Sequence, residues 1–144
     1  MTETDAAFAG AVARGVVAAM AMSGMRRLTT ALGLLGEEPP EQVAREGVPG
    51  LVARVPPSLR GATIELAHWG YGAAGGAGFG VLPAAVRRRP WAGPAFGLAT
   101  WLFFETTVAP ALGLRRTRES RPLERAAIAA DHVLYGVVVA GRTV

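Results

Sequence analysis

Five ionisable side chains stand inside otherwise apolar stretches of the chain: Glu65, His68, Glu105, Asp131 and His132. Each histidine has a tyrosine one helical turn on, because His68-x-x-Tyr71-Gly72 recurs later as His132-x-x-Tyr135-Gly136. Carboxylates and imidazoles at membrane depth usually face the interior of a bundle and pair with one another, and they are the usual groups of proton relays. The seven residues are therefore expected to form one buried polar layer. Its plainest role is to pin helix register, and its alternative role is a proton or ion pathway. Two imidazoles could also hold a metal or a haem. Neither histidine lies in a His-x-x-x-His pair, so no metal and no cofactor is expected. Cysteine is absent, and the serines at 23, 58 and 120 lie in no nucleophile motif. No catalytic residue is assigned, and the chain is not expected to be an enzyme.

The layer needs helices to carry it. On a helix, Glu65, His68, Gly72, Gly76 and Gly80 fall on one stripe, since they are three or four residues apart. Gly72-x-x-x-Gly76-x-x-x-Gly80 then lets another backbone approach closely, as small residues do between helices in lipid. In a soluble helix each of these glycines would cost about 1 kcal/mol relative to alanine. Gly76-x-Gly78 does not extend into the glycine fingerprint of dinucleotide sites, and no strand pattern precedes it. Gly93-x-x-x-Gly97 offers a second close approach, and Gly136 sits at the equivalent point of the last helix. Self-association through the 72, 76 and 80 stripe is expected to give a homo-oligomer.

Length favours one domain, 1–144. All fifteen cationic side chains are arginine, the net charge is +4 and the pI is near 10.9. Such a balance suits nucleic acid. Here, however, the arginines cluster at the ends of apolar segments, as Arg26-Arg27, Arg87-Arg88-Arg89 and Arg115-Arg116. That is the placement of headgroup anchors, so the expected partner is the lipid bilayer and not nucleic acid. The mean hydropathy of +0.30 is low for a chain of four spans and keeps a soluble all-helical bundle as an alternative.

The pattern predicts an all-α integral membrane four-helix bundle, with helices over about 6–35, 58–87, 91–112 and 123–141 and a polar loop at 36–57. Residues 41–46 could form a turn or two opened by proline. The N-terminal residues are acidic and give no basic n-region, so a secretory signal is not expected. Arg14 lies near mid-span and could snorkel to either face. Helices one and three also share an aromatic-Ala-Gly opening (Phe8 to Gly10, Trp91 to Gly93) and an Ala-Leu-Gly-Leu close (Ala31 to Leu34, Ala111 to Leu114). With the His-x-x-Tyr-Gly match these suggest two tandem helix-pair repeats facing the same way. The connections after helices one and three carry Arg26, Arg27, Arg45, Arg54, Arg60, Arg115, Arg116, Arg118, Arg121 and Arg125. The opposite side carries Arg87, Arg88, Arg89 and Arg142. The positive-inside rule then favours both termini outside.

Leu32-Gly-Leu-Leu-Gly36 followed by Pro39-Pro40-Glu41, then Ala67-His68-x-x-Tyr71-Gly72 with its glycine run, continues into Gly97-x-x-x-Trp101, Pro110-Ala-Leu-Gly-Leu114 and His132-x-x-Tyr135-Gly136. This order resembles the YagU-like family of bacterial inner-membrane proteins and its actinobacterial relatives. The resemblance covers most of the chain and rests on short motifs. It implies a multi-pass protein of the inner (plasma) membrane and brings no activity or catalytic residues. The acidic N-terminus departs from the family pattern. The expected function is a structural or accessory membrane role, with a small transport or proton-conducting unit as the alternative.

Overall fold

The structure, a computed structural model, describes residues 3–34, 36, 38–114 and 121–141. Among these residues all regular structure is helical. Arg115, Arg116, Arg118 and Arg142, which enter the orientation argument, lie outside the described residues.

Four helices of twelve residues or more dominate: α1 (Glu3–Ala31), α2 (Arg60–Gly80), α3 (Ala92–Phe103) and α4 (Pro122–Ala140). α2 ends at Gly80, short of the expected 87. Pro83 cannot continue a helix, and Ala84–Arg87 forms a separate turn after it. α3 runs on through a π-helical turn, Phe104–Val108, into Ala109–Ala111. Pro110 has no N–H and crowds the carbonyl four residues back. The turn widens instead, and the Ala109 N–H bonds Phe104 O. The expected polar loop is itself partly helical: Pro39–Gln42, a π turn over Val43–Gly47, Pro49–Val52 and a 3₁₀ turn at Pro57–Leu59.

The repeated Ala-Leu-Gly-Leu close has one geometry in both copies. Gly33 and Gly113 take φ of 71° and 68°. Leu34 N bonds Thr29 O and Gly33 N bonds Thr30 O; Leu114 N bonds Ala109 O and Gly113 N bonds Pro110 O. This is the Schellman stop, where a glycine takes the left-handed conformation at low cost. A generic helix stop thus accounts for this match without duplication.

α1 packs along α2, α4 packs along α3, and the pairs join where α1 meets α4. Residues Ala11, Gly15, Ala18, Ala19, Met22, Ser23 and Arg26 form the buried stripe of α1. The helices touch through backbone. A Cβ on Gly76 would run into Ala11 O, and one on Gly136 would run into Gly93 O. Gly15, Gly72 and Gly76 make one crossing, and Gly93, Gly97 and Gly136 make the other. Gly80 lies against Phe8 and Ala11. All six predicted packing glycines therefore sit between helices of one chain. The 72, 76 and 80 stripe is occupied by α1, which removes the surface expected to drive self-association. The matched openings of helices one and three pack differently. A Cβ on Gly93 would meet α4, whereas one on Gly10 would meet only Arg14 of its own helix; Gly15 takes the part of Gly93.

The core mixes small side chains with Met22, Phe79, Leu114 and Val139, and further large apolar side chains point outward. Ala11, Ala18, Ala19, Ala92 and Ala109 are buried, whereas Val17 is 56% exposed, Leu66 63%, Leu102 51% and Phe103 54%. Among the described residues one helix, Asp5–Ala31, is long and apolar enough to cross a membrane, and 33% of its 18-residue apolar window is buried inside the protein.

Candidate functional site: a polar-floored cleft between α2 and α3

α2 and α3 meet at one end, where Phe79 and Phe96 pack edge to face with centroids 5.2 Å apart. Towards the other end they diverge around a cavity of about 730 Å³. Its walls are Ile64, Ala67 and Ala74 of α2, Phe96 and Phe103 of α3, and Phe104 and Val108 beyond it. Pro39, Val43, Leu51 and Val55 of the 36–57 connection also line it, and α1 and α4 contribute Met22 and Ile128. The π turn matters here, because Phe103, Phe104 and Glu105 all reach the cavity. π turns recur at functional sites for this reason.

Six of the seven predicted polar residues line this cavity: His68, Tyr71, Glu105, Asp131, His132 and Tyr135. Glu65 does not. It turns to α1, where its Oε2 accepts from Ser23 Oγ at 2.8 Å and its Oε1 lies 3.4 Å from Arg27 Nη2. The two tyrosines of the repeat also part company. Tyr135 is buried and donates to Gly72 O at 2.6 Å, tying α4 to α2, whereas Tyr71 is 48% exposed.

The centre of the polar cluster is Arg26, read from sequence as a headgroup anchor. It is 3% exposed. Its Nη1 donates to His68 Nε2 at 3.0 Å and its Nη2 to Ser23 Oγ at 3.1 Å. Nε lies 3.5 Å from Glu38 Oε2, close enough for charge pairing, but makes no hydrogen bond. Arg27 alone of the pair behaves as a surface residue. The missed signal was phase: Ala11, Gly15, Ala19, Ser23 and Arg26 share one helical face, so whatever buries the small residues buries the guanidinium too. Glu124 was missed for a similar reason. It stands in the first turn of α4 yet is buried, and its Oε1 accepts from Gly36 N at 3.2 Å. Arg14, expected to snorkel, instead donates from Nε to Val139 O at 2.8 Å, near the end of α4 where carbonyls lack helical partners.

Hydrogen-bond chemistry fixes one imidazole. Guanidinium N–H groups only donate, so His68 Nε2 accepts and the ring proton sits on Nδ1. That Nδ1 is buried with no partner, and so is Asp131 Oδ1. His132 Nδ1 lies 2.9 Å from Ile128 O, which places a proton on that nitrogen. In the connection, burial is the main influence raising the Glu41 carboxyl above its ordinary value of 4.5. Among the described residues no group of three or more His, Asp or Glu side chains is arranged to hold a metal ion.

The cleft is therefore an apolar space with a polar floor. Such a space can hold an apolar molecule with a polar end, or hold a proton on its carboxylates. Comparison of the chain with protein-family models, with curated proteins and with solved structures finds no match.

Proposed function

We propose that the chain is a small multi-pass protein of the bacterial inner membrane, a four-helix bundle with an accessory, non-enzymatic role. In this reading the bundle holds an apolar molecule, received from the bilayer, in the cleft between α2 and α3. The observation that carries it is the pairing of backbone-close glycine crossings inside with large apolar side chains, among them Val17, Leu66, Leu102 and Phe103, left exposed on the outer faces. A water-soluble bundle gains its stability by burying such side chains. In lipid the hydrophobic drive between helices is gone, and close small-residue packing with interhelical hydrogen bonds replaces it. α2 and α4 are marginal spans alone because of their ionisable residues, and those residues lie on the inner side of the bundle, as such groups do. The resemblance to the YagU-like group agrees with this reading.

Mass spectrometry of the protein released from detergent tests the role. It should carry a co-purified apolar molecule, and Ile128→Trp, which projects a larger side chain into the cleft, should retain less of it. A wild-type chain that emerges empty from native membranes would count against the role. A second reading, a proton-conducting or transport unit, is favoured by Glu105, Asp131 and His132 lining one cavity. It predicts flux into liposomes that falls in Glu105→Gln or His132→Ala, and flux no higher than in empty vesicles would end it.

A further inference from the structure

The four long helices follow one another as α2, α1, α4, α3, each packed along the next. A closed bundle needs one more contact, α2 against α3. That contact is made at one end, by Phe79 on Phe96, and beyond it the two helices part around the cavity. At the other end the 36–57 connection shuts the space. Pro39, Val43 and Leu51 line it, and a Cβ on Gly47 would touch Leu112 and Leu114 past α3. What stays open is the side. Tyr71 of α2 and Phe103 of α3 line the cavity and are 48% and 54% exposed, next to Leu66 and Leu102 of the outer faces.

We infer that one hydrocarbon chain of a bilayer lipid enters the cleft sideways, through the slit between α2 and α3, while its head stays outside the protein. This rests on the cleft-binding reading above and adds the class of occupant and its path. The polar groups of the floor are shut off from an occupant: His68 Nδ1 and Asp131 Oδ1 are sealed, Arg26 is buried, and Tyr135 is engaged with Gly72 O. The surface that remains is mostly apolar. A polar head drawn inside would give up its hydration for few partners, whereas a hydrocarbon chain gives up none. Shape agrees. The cavity follows α2 from Ile64 to Gly78, about 21 Å along the helix axis, and one leaflet of hydrocarbon is about 15 Å deep. A chain lying along the helices therefore fits its length. A helix of that length and about 10 Å across would occupy about 1,600 Å³, twice the cavity's volume of about 730 Å³. The slit is too narrow for a fifth helix.

The test uses the full chain in phosphatidylcholine nanodiscs and three photoactivatable probes, offered separately. One is phosphatidylcholine with a diazirine at the end of an acyl chain, one carries the diazirine in its head, and one is a small aryl diazirine bound to no lipid. Mass spectrometry of the fragments maps the labelled residues. Met22 and Ile128 line the cavity from α1 and α4, behind the slit, and Val17 on the outer face is the reference. The tail probe should label Met22 and Ile128 as well as Val17, and the head probe should leave Met22 and Ile128 unlabelled. Ile128→Trp should cut tail labelling of Met22 severalfold relative to Val17. The wild-type map decides even where that variant fails to fold. Labelling of Met22 and Ile128 by the small probe alone, or by the head probe, overturns the side entry of a lipid chain while the cleft still takes apolar molecules. Labelling of neither residue by any probe overturns the cleft-binding reading as well.

Discussion

The Arg26 guanidinium reaches His68 Nε2 at 3.0 Å while the next residue, Arg27, reaches Glu65 from the outside at 3.4 Å. Two adjacent arginines thus belong to different environments. Removing one partner of a buried charge pair costs about 3–5 kcal/mol, because the remaining charge is left uncompensated. Exposed pairs are worth about 0–1 kcal/mol. Arg26→Ala should therefore lower the stability of the detergent-solubilised protein by several times more than Arg27→Ala. A denaturation midpoint for each variant decides it, and equal shifts would place Arg26 at the surface.

The glycine crossings make a second, sharper contrast. A Cβ on Gly76 or Gly97 would meet the backbone of the facing helix, whereas one on Gly24 would meet nothing within 4 Å. Overpacking costs about 1–3 kcal/mol when neighbours can shift, and backbone yields less than a side chain. Gly76→Leu and Gly97→Ala should both destabilise the protein, and Gly24→Ala should not. Thermal unfolding in detergent reads this directly. Because the stripe lies inside the chain, Gly76→Leu should act at any protein concentration.

The repeat predicts equal tyrosines, and the structure makes them unequal. Tyr135→Phe removes the hydrogen bond to Gly72 O and should cost about 1 kcal/mol. Tyr71→Phe should be close to neutral for stability. Similar losses in both would mean that the two halves of the chain are more alike than these contacts allow.

Burial lifts the Glu41 carboxyl above 4.5; its own backbone hydrogen bond opposes this, Glu38 and Glu65 add to it, and the Arg26 charge opposes it. The folded carboxyl thus holds its proton to higher pH than the unfolded one. Its contribution is fully present below the ordinary value and is lost as pH rises from there through the raised folded value. Glu41→Gln should flatten the stability curve over that window and stabilise the protein above it. A wild-type curve that rises through the same window more steeply than the variant's would reverse the sign.

Much of this was legible in the sequence because local rules carry it. The Ala-Leu-Gly-Leu stops, the glycine crossings and six of the seven layer residues follow from spacing along single helices. What the sequence hid depends on which face meets which. Arg26 resembles its neighbour Arg27 in type and position, and only its register on the small-residue stripe separates them. Glu65 shares a stripe with His68 yet is drawn to Ser23 by a partner two helices' worth of chain away. The role of the 36–57 connection as a wall of the cleft rests on tertiary placement that composition alone does not encode. The π turn at Phe104–Val108 follows from Pro110, whose missing N–H and ring crowd the turn before it.

The central claim is that the outward apolar faces meet lipid, and the chain has no cysteine to confuse a label. Single spin labels at Val17→Cys, Leu66→Cys and Leu102→Cys in reconstituted vesicles measure it by comparing collisions with oxygen, which enters the bilayer, and with a water-soluble nickel chelate. The account predicts high oxygen and low nickel accessibility at all three positions. Nickel accessibility equal to that of a label in free solution would contradict it.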